Sequence, residues 1–353
     1  MSDPAARAGS PSSSPAERER TVLVTGASGF IGGHVARRLI AEGRRVRCLV
    51  RASSDTTALR ATGAQLVVGE LADADSLAAA AAGCARAVHC AALVSDWATT
   101  REIVRTNVHG TRALLAACAA AGVARVVHVS TTDVYGHPGV PVQESFVPER
   151  FSNWYAQSKL EAEAHVRAAQ ESGSLEAVVL RPATVYGPGS EDVVGEIARA
   201  VRARHMLLVG GGRAIAGLCY VENVVDAVSL ALARDAAAGE SFNVSDGLRV
   251  TWRQFVDDIA AGLGSPRPRL SLPYGVAHAL GRALEGGYRA LRTATGVSLP
   301  PLLSRQAVQV LGVDQAFSGE KARELLGWEP RVGYAEGLAA TLAWLRDEYL
   351  GYA

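Results

Sequence analysis

The sequence predicts a doubly wound α/β fold, a parallel sheet with helices on both faces, carrying a smaller, mostly helical and discontinuous C-terminal lobe. Three observations carry that expectation. Short β-branched runs alternate with Ala/Leu/Arg stretches of helical length, the pattern of βαβ units. The runs are nearly continuous in apolar residues, as strands buried on both faces must be. A glycine-rich turn joins the first run directly to the first helical stretch.

The elements follow in order. Strands are expected at Thr21–Thr25, Arg45–Val50, Gln65–Val68, Ala87–Cys90, Val126–Ser130, Ala177–Leu180 and Phe242–Val244. Helical stretches such as Gly32–Glu42 and Thr111–Ala121 lie between the early ones. The regularity ends after Tyr186, where Gly187–Gly189 and Gly210–Gly212 punctuate the chain and Pro266–Pro273 breaks it again. From about Ser265 onward the residues read as helices with little strand character. They include an amphipathic segment, Gly275–Arg292, with Val276, Leu280, Leu284 and Leu291 on one helical period. The expected organisation is a leader at 1–20 and a dinucleotide-binding domain at 21–185 and about 218–250. A substrate lobe at 186–217 and about 251–353 completes it.

Composition narrows the function. The chain has 353 residues, 48% hydrophobic and 20% charged, enough to build a core. Lys plus Arg number 36 against 35 Asp plus Glu, and a net charge of +1 gives no electrostatic footprint for nucleic acid. No apolar run approaches the span of a bilayer. Residues 1–20, rich in Ser, Pro and Ala, lack the apolar core of a secretory signal and read as disordered. Five scattered cysteines (48, 84, 90, 118 and 219) show neither CxxC nor zinc spacing, so buried thiols in a reducing, cytoplasmic setting and no metal are expected.

Two constellations carry chemistry. Gly26-Ala27-Ser28-Gly29-Phe30-Ile31-Gly32 lies between the first strand and a helix. Glycines there allow a tight turn and let backbone N–H groups approach a pyrophosphate at a helix N-terminus. The spacing is GxxGxxG, and its placement points to dinucleotide binding. A carboxylate closing the second strand would bind ribose hydroxyls and mark NAD. Arg51 stands there instead, and its guanidinium suits a phosphate, favouring NADP(H) over NAD(H). After the third strand, Glu70 and Leu71 are placed to flank the adenine.

The second constellation is Tyr155-Ala156-Gln157-Ser158-Lys159. Four residues apart on a helix, the phenol and the ammonium share a face. A nearby ammonium is expected to pull the Tyr155 pKa down for general acid–base work. Hydroxyls at Ser130, Thr131 and Thr132 close the fifth strand at the same edge, and Thr106–Thr111 opens a helix from that side.

These motifs together resemble an extended short-chain dehydrogenase/reductase of the epimerase/dehydratase superfamily, a Rossmann-fold group, over nearly all of the chain after residue 20. The matching pieces are TGASGFIG at 25–32, VHCAA at 88–92, NVHGT at 107–111, STTDVYG at 130–136, YAQSK at 155–159, LRPATVYGPG at 180–189 and YVENVVDA at 220–227. The resemblance implies Tyr155 as general acid/base, with Lys159 binding the nicotinamide ribose and tuning it. It implies Thr131, four residues before Tyr135, as the group polarising the substrate oxygen, and Asn107 as support for the proton relay. It also implies cofactor contacts from Gly26, Ser28, Gly29, Phe30, Ile31, Gly32 and Ala91, with Pro182 and Val185 near the carboxamide. A homodimer through helices containing Asn107–Ala121 and Tyr155–Ala169 is implied as well.

Within the superfamily, Tyr220-Val221-Glu222-Asn223-Val224 resembles the 3β-hydroxysteroid dehydrogenase-like branch, which includes reductases of long-chain 3-oxo acids. Leu272-Pro273, Pro300–Leu303 and Lys321–Trp328 fit that branch's C-terminal region. Sugar-nucleotide dehydratases carry an Asp-Glu pair where this chain has Thr132-Asp133, and the epimerase diphosphate arginine falls on Ala216, with Arg213 as a substitute. The expected activity is NAD(P)-dependent interconversion of a ketone and a secondary alcohol on a sterol-like, polycyclic or long-chain substrate. A nucleotide-sugar epimerase or reductase and a non-catalytic NADP-binding regulator are the alternatives. The apolar face of Gly275–Val297 has three readings: it covers the hydrophobic substrate, packs on its own lobe, or rests on a membrane surface with Arg282, Arg289 and Arg292.

Overall fold

The computed structural model describes residues 21–95, 97–148, 154–295 and 304–351. The leader, Pro300–Leu303 and the side chains of Arg289, Leu291 and Arg292 lie outside the described residues.

Seven strands form one parallel sheet: β1 (Thr21–Thr25), β2 (Arg45–Val50), β3 (Gln65–Val68), β4 (Arg86–His89), β5 (Arg125–Val129), β6 (Glu176–Pro182) and β10 (Ser241–Val244). Their order is β10-β6-β5-β4-β1-β2-β3. The chain winds outward in one direction from β1, then returns to β4 and winds in the other. The crevice at that reversal, outside the carboxyl ends of β1 and β4, is where such sheets bind ligands. Each strand falls within two residues of its expected bounds.

Side chains alternate between two cores, as a sheet covered on both faces requires. Val22, Val24, Val88, Val127 and Leu180 join one. It packs under helix α1 (Phe30–Ala41) and a later helix, Val221–Ala233. Leu23, Ala87, Val126 and Val179 join the other, beneath α2 (Gly110–Ala120) and α3 (Trp154–Glu171). A separate cluster gathers Tyr186, Trp252, Phe255 and Trp344. Four of the five cysteines are buried, Cys90 half so, and all are free thiols.

Two small parallel pairs sit beyond the main sheet. β7 (Thr184–Tyr186) joins β9 (Leu218–Tyr220), and β8 (Leu207–Val209) joins β11 (Leu270–Leu272). β11 adds a strand to a region expected to be helical. Its three residues sit between proline-rich segments, too short for alternation to register. After it come α4 (Tyr274–Thr295) and α5 (Arg305–Gly312), which pack against each other. Gly312 is the close-approach point: a Cβ there would meet the Tyr274 ring at 2.5 Å and Val209 at 2.8 Å.

No helix among the described residues is long and apolar enough to cross a membrane.

Candidate active site

The turn after β1 shows why it needs glycines. Gly26 has φ +72°, and a Cβ there would stand 2.6 Å from the Ala91 backbone nitrogen. A Cβ on Gly32 would lie 2.2 Å from the Gly26 carbonyl oxygen. The helix N-terminus is thereby pressed onto the turn, and Gly29 opens α1 with no side-chain cap. Uncapped N–H groups and the helix dipole leave a site suited to a phosphate.

A cleft of about 440 Å³ runs from this turn across the carboxyl ends of β1, β2, β3 and β4. Gly26, Ser28, Gly29, Arg51, Glu70, Leu71 and Ala91 line it. Phe30 and Val185 line an adjoining cleft that shares Ser28 and Gly29 with the first. Ile31 instead packs against the sheet core, Gly32 is buried beneath the turn, and Pro182 ends β6 in the interior. The cleft also includes Ser54, whose hydroxyl accepts a 3.3 Å hydrogen bond from that of Ser28, and Arg105, a second cation along the wall. Arg105, on the segment leading into Asn107, carries no motif that marks it in the sequence.

The opposite bank is built from β5, α3 and the segment leading into α2. Thr131 ends β5 in extended backbone and accepts a hydrogen bond from the Asp133 N–H at 3.2 Å. Its hydroxyl hydrogen-bonds the Tyr155 phenol. Lys159, buried one turn along α3, donates to the Val129 carbonyl at 2.8 Å and lies 3.2 Å from His128 Nε2. Asn107 sits in a π-helical turn, Val104–His109, an irregularity common at functional sites. Its amide donates to Ser158 Oγ at 3.0 Å, and Ser158 donates to the Tyr155 carbonyl at 2.7 Å. Asn107 thus ties the start of α3 to the Leu93 backbone, bonded at 2.7 and 3.1 Å. The structure therefore brings Thr131, Tyr155, Lys159 and Asn107 together.

Beneath them lies a buried polar layer. The Thr111 hydroxyl donates to the Asn107 carbonyl at 2.6 Å, so it accepts from His89 Nε2 at 2.9 Å. His89 Nδ1 in turn accepts from Thr25 Oγ1 at 2.7 Å, fixing the Nε2–H tautomer. Burial, helped by the Lys159 charge, lowers the His89 pKa to about 3 and holds the ring neutral. His128, also buried and neutral for the same reasons, presents Nε2 to the ammonium as an acceptor. The sequence carried a signal for His128, a lone polar residue within an apolar strand, that went unused.

The electrostatics differ from expectation in one respect. Burial and the neighbouring Asp133 carboxylate push the Tyr155 pKa up, with only the Thr131 hydrogen bond pulling it down. Burial lowers Lys159 to about 8, against the pull of Glu163 and Cys90. The reason is desolvation together with placement. The ammonium is held by the Val129 carbonyl and His128 instead of acting on the phenol, and tertiary packing removes the water that would support a phenolate. Asp133 is itself raised by burial, opposed by His137 and by Gln306, whose amide donates to it at 3.2 Å.

Comparison with known proteins agrees with this architecture. Residues 22–245 match the family described as "NAD dependent epimerase/dehydratase family". The chain is 35% identical to a 4-hydroxy-2-methyl-3-oxo-4-farnesyl-3,4-dihydroquinoline-1-oxide ketoreductase of Stigmatella aurantiaca, over 90% of this chain and 94% of the relative. It is 33% identical to a 2-alkyl-3-oxoalkanoate reductase of Stenotrophomonas maltophilia, covering 90% and 97%. A 3-beta-hydroxysteroid dehydrogenase of Mycolicibacterium neoaurum is 28% identical, covering 92% and 91%. Among solved structures, a dTDP-glucose 4,6-dehydratase from Streptomyces venezuelae with NAD and TYD bound superposes with a TM-score of 0.76 at 26% identity, covering 93% and 97%.

Proposed function

The chain belongs to the NAD dependent epimerase/dehydratase family, and from that premise we propose that it reduces the ketone of a hydrophobic substrate to a secondary alcohol, with NADPH preferred. At the coarser level it is an NAD(P)-dependent oxidoreductase of the extended short-chain type, kin to ketoreductases and 3-beta-hydroxysteroid dehydrogenases. The observation that carries the finer reading is the gathering of Thr131 and Tyr155, whose hydroxyls interact, with Lys159 and Asn107 at one edge of the sheet.

The glycine turn and the start of α1 would hold the pyrophosphate, and Lys159 the nicotinamide ribose. A nicotinamide dinucleotide, when bound, supplies the hydride. The Thr131 hydroxyl donates to the substrate carbonyl oxygen and stabilises the charge developing there. Tyr155 then delivers its phenolic proton to that oxygen. Its raised pKa keeps the phenol protonated through the neutral range, which suits a proton donor and hence reduction. The relatives' printed substrates, a farnesylated quinoline oxide and a 2-alkyl-3-oxoalkanoate, support a bulky apolar ketone. The five free thiols fit a reducing compartment such as the cytoplasm. Against the epimerase reading, Ala216 is wholly buried in the Tyr186 cluster and offers no charge to a diphosphate, while Arg213 is exposed.

The test is nicotinamide absorbance with NADPH, comparing a pool of hydrophobic ketones with a pool of nucleotide sugars. Net oxidation with the ketones alone is expected. New sugar isomers without net oxidation would make the protein an epimerase.

Two further outcomes follow from the same residues. Arg51 and Arg105 line the cleft, and Arg51 stands at the end of β2 where a 2′-phosphate would approach. Losing a charge-assisted hydrogen bond costs about 1.5–3 kcal/mol, so Arg51→Asp should lower kcat/KM for NADPH by roughly ten- to a hundredfold. NADH should be spared or improved; equal losses with both cofactors would refute the assignment. The second outcome concerns pH. Lys159 keeps its ammonium below about 8 and loses it above, so kcat/KM should fall on the alkaline side with a midpoint near that value. A flat profile through that range would show that the ammonium does not act.

A further inference from the structure

The helix α4 packs through the side that adjoins its apolar stripe, not through the stripe itself. Ala277, Gly281, Glu285 and Tyr288 are buried. Ala277 meets Val308 of α5, Glu285 accepts from the Arg305 guanidinium at 2.7 Å, and the Tyr288 ring stands edge-on to Trp97 with centroids 4.9 Å apart. The apolar stripe faces outward instead. Val276 is 53% exposed, Leu280 41% and Leu284 37%, and Tyr274 at the start of the helix is 36% exposed. Leu270 on β11, just before the helix, is 56% exposed. The helix meets the fold through its buried side, so core packing does not account for the stripe.

Charge marks the same stretch. Between Asp258 and Asp314 lie six arginines (267, 269, 282, 289, 292 and 305) and one acid, Glu285, which is already paired with Arg305. The whole chain is nearly balanced at +1, so this excess of cations is local. Arg267, Arg269 and Arg282 are exposed. The exposed arc of the helix carries the apolar stripe on one flank and Arg282 on the other, with Arg267 and Arg269 beside Leu270 in sequence and no unpaired acid in the stretch. Such a face is complementary to an anionic lipid surface, with apolar side chains among acyl chains and guanidinium groups at the phosphates.

The position relative to the cleft gives the surface a use. Leu93 lines the cofactor cleft, and Trp97, four residues on, meets Tyr288 of α4 edge-on. Gln306 of α5 donates to Asp133 beside Thr131. The helix pair thus touches the segment after Leu93 and the turn after Thr131.

We propose that the outward face of α4, with Leu270 and the flanking Arg267, Arg269 and Arg282, docks on an anionic membrane surface. Docking would set the mouth of the cleft against the lipid from which an apolar substrate partitions. Binding itself does not rest on the ketone reading, because it is measured without turnover.

The test is co-sedimentation with vesicles of phosphatidylcholine alone and of equal parts phosphatidylcholine and phosphatidylglycerol, at low and high salt. Binding to the anionic vesicles should exceed that to the neutral ones by about tenfold or more and should weaken with salt. Leu280→Glu should reduce it by at least about tenfold, and Arg282→Glu by several-fold. Both positions are exposed, so circular dichroism should be unchanged, as should turnover of a short water-soluble ketone. Equal binding to both vesicle types, or none, overturns the proposal. So does a wild-type dimer that Leu280→Glu splits in sedimentation without any vesicle binding, which would make the stripe a contact between copies. Loss of turnover with vesicle binding intact would instead count against the ketoreductase reading alone.

Discussion

Replacing Tyr155 by Phe should lower kcat by about a hundred- to ten-thousandfold, the usual worth of a positioned general acid. Only the hydroxyl is removed. The ring stays in place, α3 remains anchored through Ser158 and Asn107, and the glycine-turn cleft is untouched. Binding of NADPH, followed by fluorescence, should therefore hold within about threefold, because the loss falls on the transition state and not on ground-state binding. The Thr131 hydroxyl, which loses its phenol partner, remains available to the substrate oxygen and should account for the residual rate. Turnover in Tyr155→Phe close to wild type would remove Tyr155 from the chemistry. It would leave a water or another hydroxyl as the donor, or a dinucleotide-binding protein whose role is not catalysis.

How much of this was legible in the sequence follows from which interactions are local. The strands were, because Val22–Val24, Val126–Val129 and Val178–Leu180 are apolar on both faces and bounded by glycine or polar residues. The glycine turn was legible because a positive φ at Gly26 and the contact of Gly32 with its carbonyl are demands of backbone geometry. The pairing of Tyr155 with Lys159 followed from helical spacing. Their proton affinities did not, since these depend on water excluded by β5 and on Asp133, groups brought near only by folding. The outward turn of the α4 stripe was equally hidden. Periodicity shows that a helix has an apolar face but not which face meets the protein, and here the Ala277–Val308 contact and the Glu285–Arg305 pair decide it. Gln306 reaches Asp133 across a long sequence separation with no motif to flag it.

The largest expected effect on stability lies behind the site, at Arg181 and Glu163. Glu163 is fully buried on α3, one turn beyond Lys159, and the guanidinium of Arg181 on β6 holds it bidentately at 3.0 and 2.6 Å. The same guanidinium donates to the Tyr135 hydroxyl at 2.7 Å and to the Glu144 carbonyl at 3.2 Å. Tyr135 donates onward to Asn243 of β10 at 2.7 Å. One side chain therefore fixes both the helix bearing Tyr155 and Lys159 and the turn that follows Thr131. Arg181→Met should cost about 3–5 kcal/mol in urea unfolding, because it leaves a buried carboxylate with only the half-exposed Arg167, 3.6 Å away, as a partner. Arg181→Lys should recover only part of that, since an ammonium cannot reproduce the fork. The double variant Arg181→Met with Glu163→Met should regain most of the stability, as apolar replacement of a whole buried pair is often near neutral. Its kcat should nevertheless stay below wild type, because the turn after Thr131 and α3 are no longer held to one strand. If the double variant recovers stability and full kcat together, the pair serves the fold alone and the catalytic bank is positioned by Asn107 and Ser158.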